Sequence, residues 1–138
     1  MAKPRIKHNT WVVAADGGRA LVMRNEGDAE FPRLAVLRTY GEASGQGGPA
    51  GPQARSDEET GRPRGEDRLM RELAGDLLAG LRKGEFSSLI IAAAPIALGE
   101  LRRQMHEELK PAILAEVDKD LTKMPVPEIA AALAKALE

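Results

Sequence analysis

The stretch Ser88-Leu89-Ile90-Ile91-Ala92-Ala93-Ala94 is apolar at every position after its first and stops at Pro95. A strand with one face in water alternates apolar and polar side chains. A strand without that alternation is covered on both faces, as happens at the centre of a sheet flanked by helices. This one run confines the chain to α/β architectures and predicts helices on both sides of the sheet.

The flanking patterns fill in that frame. Trp11-Val12-Val13-Ala14-Ala15 is short, aromatic and β-branched, and it ends at Asp16-Gly17-Gly18, which suits the positive φ values of a tight hairpin turn. Ala20 to Met23 resumes the apolar pattern, Asn25-Glu26-Gly27-Asp28 supplies a second turn, and Leu34-Ala35-Val36-Leu37 reads as a third strand. Further on, Leu69, Leu73 and Leu77 recur four apart beside Met70, Ala74, Leu78 and Leu81, the stripe of a helix that ends at Arg82-Lys83-Gly84. Gly75 and Gly80 lie inside it, each at a cost of about 1 kcal/mol relative to alanine. After Pro95, the spacing of Leu98, Leu101 and Met105 is helical up to a stop before Pro111, and 112–117 is long enough for another strand. The stretch 118–125 is polar. Pro127 suits a first helical position, and Ile129, Ala130, Leu133, Ala134 and Leu137 form a last apolar stripe. Strands are therefore expected near 10–16, 19–25, 33–40, 88–94 and 112–117, and helices near 66–83, 96–108 and 126–137. The order βββαβαβα with right-handed crossovers gives a five-stranded mixed sheet with helices on its faces, the ribonuclease-H-like layout. With 138 residues, 43% of them hydrophobic, the chain fits one domain spanning 1–138.

Residues 41–65 differ in kind. They hold 7 of the chain's 14 glycines and 3 of its 9 prolines, and no apolar side chain larger than alanine. Such a segment buries too little surface to offset its ordering entropy, which predicts a flexible loop, either tolerated or used for binding. Its candidates for binding are Gln46, Gly47 and Gly48 together with Arg55, Arg62, Arg64 and Arg68, whose guanidinium groups suit phosphates. Asp57, Glu58, Glu59, Glu66 and Asp67 interrupt those cations, as in a solvated mixed-charge loop.

Composition removes several function classes. The net charge of −1 offers no global field for nucleic acid or a membrane surface, and the absence of Cys removes disulfides, thiol nucleophiles and thiolate metal sites. His8 and His106 alone do not make a zinc site. No run approaches the roughly 20 apolar residues of a membrane span, so a cytoplasmic location is expected. Asp16, Asp118 and Asp120 fall just beyond strands, where carboxylates can hold Mg²⁺, but turn, ion-pair and capping chemistry accounts for them better. Neither metal nor cofactor is expected.

Two stretches carry a resemblance: Trp11-Val12-Val13-Ala14-Ala15-Asp16-Gly17-Gly18-Arg19-Ala20 and Glu116-Val117-Asp118-Lys119-Asp120-Leu121-Thr122. They look like the bacterial host attachment protein family, with Asp16, Gly17, Asp118, Lys119 and Asp120 as its signature, over about residue 7 to the C-terminus. That family in turn resembles the middle domain of archaeo-eukaryotic peptide-chain release factors, in which a mobile loop before the first long helix carries Gly-Gly-Gln. Here the loop reads Ser44-Gly45-Gln46-Gly47-Gly48-Pro49, so the glutamine precedes its glycine pair, and Pro49 lacks an amide N–H. The resemblance implies a non-catalytic adaptor binding the ribosome, structured RNA or a protein partner through 41–65. Its competitor is an enzyme: a peptidyl-tRNA ester hydrolase, or a Mg²⁺-dependent nuclease of ribonuclease-H-like fold.

Overall fold

Five strands form one sheet in a computed structural model of the protein, which describes residues 5–16, 18–41 and 65–137. They are β1 (Trp11–Ala15), β2 (Arg19–Asn25), β3 (Leu34–Gly41), β4 (Leu89–Ala93) and β5 (Ile113–Val117), in the spatial order β3-β2-β1-β4-β5. β1 pairs antiparallel with β2, placing Val13 opposite Val22, and parallel with β4, placing Val13 opposite Ile91. β3 runs antiparallel to β2, and β5 parallel to β4. This is the ribonuclease-H-like mixed sheet expected from the element order.

Helices cover both faces. Odd positions of β1 and β4 (Trp11, Val13, Leu89, Ile91) pack against α1 (Gly65–Arg82) and α2 (Pro95–Gln104). Even positions (Val12, Ala14, Ile90, Ala92) meet α3 (Val126–Ala136) through Ile129 and Leu133. Both central strands are therefore buried at every residue, and their lack of alternation is the direct outcome.

The differences from expectation are local. The second helix ends at Gln104 instead of 108, because the His106 ring accepts a bond from the Glu108 N–H at 3.0 Å and starts a separate 3₁₀ turn (Glu107–Ala112). Pro111 lies inside that turn, so it is no helix stop. Helix α3 starts at Val126 after Pro125, one residue ahead of Pro127, and its Ala134 is exposed. The stretch 118–125 is less polar in its contacts than in its composition, since Leu121 and Thr122 are buried. In β3 the register shifts beside the Val22/Met23 pair, leaving Leu37 as an extra residue on an edge strand.

Candidate functional site at one end of the sheet

Asp16 follows β1 directly, and its Oδ1 accepts from the amides of Gly18 (2.8 Å) and Arg19 (2.9 Å). This is the side-chain turn that aspartate forms readily and that starts β2 in register. Its Oδ2 faces the Arg19 Nε at 3.8 Å and the Thr122 hydroxyl at 3.1 Å. Thr122 also bonds Asp120 Oδ1 twice, through its amide at 2.9 Å and its hydroxyl at 2.5 Å. A hydroxyl has one proton to donate, and the shorter contact marks Asp120 as its acceptor. The two stretches that carry the family resemblance, 106 positions apart at Asp16 and Thr122, thus meet on one buried threonine.

For Asp120, burial raises the carboxyl pKa, but the hydroxyl and amide of Thr122, with Lys123 and Arg19 nearby, outweigh it and hold the group below the ordinary aspartate value. Asp118 and Lys119 are exposed and take no part in this corner. Among the described residues no group of three or more His, Asp or Glu is placed to hold a metal ion. Asp16 and Asp120 are occupied in fixing a turn and a tail.

The same end of the sheet holds the roots of the glycine-rich segment. Gly41 closes β3 with φ +65°, and a Cβ there would stand 2.1 Å from the Gly18 carbonyl oxygen and 2.7 Å from a Leu69 methyl. Only glycine permits that approach of β3 to the hairpin turn. Arg68, one turn into α1 and exposed, stands at the other root. Of the residues singled out in the sequence, the structure gathers Asp16 and Asp120 and leaves Asp118 and Lys119 outside. Gly17, Gln46, Gly47, Gly48, Arg55, Arg62 and Arg64 lie outside the described residues. Thr122 was missed, although the Asp-x-Thr spacing is a recognisable turn signal.

Residues 9–133 match the sequence profile of the bacterial archaeo-eukaryotic release factor family 12. No curated protein matches the chain. Among solved structures it is similar to an archaeal translation termination factor, aRF1, at 14% identity and a TM-score of 0.45, covering 92% of this chain and 38% of that one. It is also similar to Dom34 of S. cerevisiae, a translation termination-like factor involved in RNA quality control and interacting with Hbs1. There the identity is 12%, the TM-score 0.44, and the coverage 97% of this chain and 37% of that one. The chain therefore spans little more than a third of either protein. Among the described residues no helix is long and apolar enough to cross a membrane.

Proposed function

The chain belongs to the bacterial archaeo-eukaryotic release factor family 12, and from that premise we propose a translation-associated role as a non-catalytic cytoplasmic adaptor. It engages the ribosome or structured RNA through the 41–65 segment and its arginines, with a protein partner as the other candidate. The family match over residues 9–133 carries this reading. Two features of the site support it. The segment departs from a junction that Gly41, Gly18 and Leu69 pack tightly, a rigid root for a binding element. The carboxylates that a nuclease would need are bound up in turn geometry, which favours an adaptor over metal-assisted hydrolysis. The reversed order of Gln46 and its glycines likewise disfavours release of a peptidyl ester.

Co-sedimentation with ribosomes across a salt series tests this. Phosphate-driven binding is expected at low salt and falls linearly in log–log form, by about 0.7–0.9 in slope for each phosphate contact. Replacing Arg55, Arg62, Arg64 and Arg68 by Gln should flatten that slope. No binding at low salt would leave only the protein-partner version, and ester release that disappears in Gln46→Ala would replace the adaptor with a hydrolase.

A further inference from the structure

Along the seam between the C-terminal half of α1 and the strands β2 and β3 lies an open groove of about 440 Å³, inside the range of roughly 300–1,000 Å³ that small-molecule sites occupy. It lies apart from the Asp16–Thr122 corner, and no described residue of the 41–65 segment lines it. Cross-strand register builds its base. Trp11 stands opposite Arg24, and Val22 opposite Arg38, so the indole and both guanidinium groups line one face of three adjacent strands. Leu37 of β3, 39% exposed, adds apolar surface, and Lys83, in the turn after the helix, completes the rim.

The hydrogen-bonding capacity left open there is mostly of the donor kind. Trp11 is buried, and its Nε1–H has no partner among the described residues; an indole can only donate. Lys83 forms no ion pair among the described residues. Arg24 and Arg38 are each held by one carboxylate, Glu26 at 2.9 Å and Asp76 at 2.7 Å, and their side chains remain 39% and 57% exposed. Asp76 is doubly engaged, since its Oδ2 also accepts from the Tyr40 hydroxyl at 2.7 Å. Burial and that bond push the Tyr40 phenol well above its usual pKa, so it stays a donor fixed on Asp76. Glu85 on the rim is the one acid without such a hold. Three donor-only cations, a buried donor and an apolar base call for a ligand with a polyvalent anionic group and a flat, weakly polar body.

We propose that this groove binds a nucleoside 5′-monophosphate unit, free or at the 5′ end of an RNA strand. The phosphate meets Arg24, Arg38 and Lys83, and the base lies on Leu37 with its acceptors turned toward the Trp11 N–H. A carboxylate has too few oxygens for three cationic heads, and inorganic phosphate leaves the apolar base unused.

Trp11 is the only tryptophan in the chain, which makes it the reporter. Titration of the whole chain with AMP, followed by Trp11 fluorescence and by its indole N–H resonance in NMR, should give a saturable change with Kd of about 0.1–1 mM. Lys83→Gln touches no bond of the fold and should weaken binding about tenfold, the loss of one charge-assisted contact. Glu26→Gln should act in the opposite sense and tighten it about threefold, because Arg24 is released from its partner. Parallel titrations use adenosine, inorganic phosphate and a short 5′-phosphorylated oligoadenylate. Binding of AMP alone assigns the free nucleotide, binding of the oligomer alone assigns the strand end, and equal binding assigns the unit common to both; all three support the proposal. Adenosine or phosphate binding as tightly as AMP would overturn it. So would the absence of a saturable change with AMP and oligomer at about 10 mM, where even a millimolar site is filled.

Discussion

Asn25 shows how much one polar residue can organise. It is fully buried at the end of β2, and its amide nitrogen donates to the carbonyls of Ile6 (2.8 Å), Lys7 (3.2 Å) and Asp28 (3.2 Å). Its Oδ1 accepts from the amides of Gly27 (2.9 Å) and Arg33 (2.8 Å). The side chain thereby ties the segment before β1 to the turn between β2 and β3. In the sequence it reads only as a turn residue, because its partners from residues 6 and 33 are distant in the chain. Asn25→Ala should cost about 2–4 kcal/mol in denaturant unfolding, since it orphans several buried backbone groups at once. The sign of a second effect follows from Asp120, whose folded-state pKa is depressed. Its contribution is present above the ordinary aspartate value and is lost as pH falls through the folded one. Asp120→Asn should therefore be less stable than the parent at neutral pH, and the two should converge as pH drops below about 4. A difference that stays constant from pH 7 to pH 3 in thermal melts would contradict the assignment.

At the scale of elements, legibility followed the number of faces covered. β1 and β4, buried on both sides, and α1, with Leu73 and Leu77 fully buried, announce themselves because burial demands apolar residues at fixed spacing. Boundaries set by single polar contacts do not, as His106 shows by ending α2 early through its bond to the Glu108 amide. The extra residue Leu37 in β3 depends on pairing with β2 and leaves no local trace. Helix α1 also separates two glycines that the sequence treats alike. Gly75 has open space where a Cβ would go, whereas at Gly80 that atom would stand 2.7 Å from the Trp11 ring, itself stacked on Phe86 at 4.4 Å between centroids. Gly75→Ala should then stabilise by about 0.5–1 kcal/mol through helix propensity. Gly80→Ala should destabilise by about 1–3 kcal/mol, because overpacking against two rigid rings exceeds the same gain. Urea midpoints that move in the same direction for both would refute the packing argument.

Over the whole molecule, the described residues supply a core on both faces of the sheet. Among the described residues, every strand pairing lies within 11–41 and 89–117, and every buried hydrophobic residue of the two clusters lies within 6–40 and 69–133. Removing the proposed binding segment from this fold is a direct test, with Gly41 and Arg68 as the described residues that flank it. The candidate site was legible only in half. A core leaves a periodic pattern, whereas a binding segment needs only permissive residues, and the corner that anchors it relies on Thr122 meeting Asp16 across the fold. Replacing 42–64 by about six Gly/Ser residues should keep one cooperative unfolding transition and raise stability by about 1 kcal/mol, because loop closure grows less costly as the loop shortens. The same variant should lose ribosome co-sedimentation while its Trp11 response to AMP is unchanged. Loss of cooperativity would mean that the segment belongs to the core. Retained ribosome binding would move that function to another surface. A vanished AMP response would tie the groove to the segment, so each of the two readings fails by its own measurement.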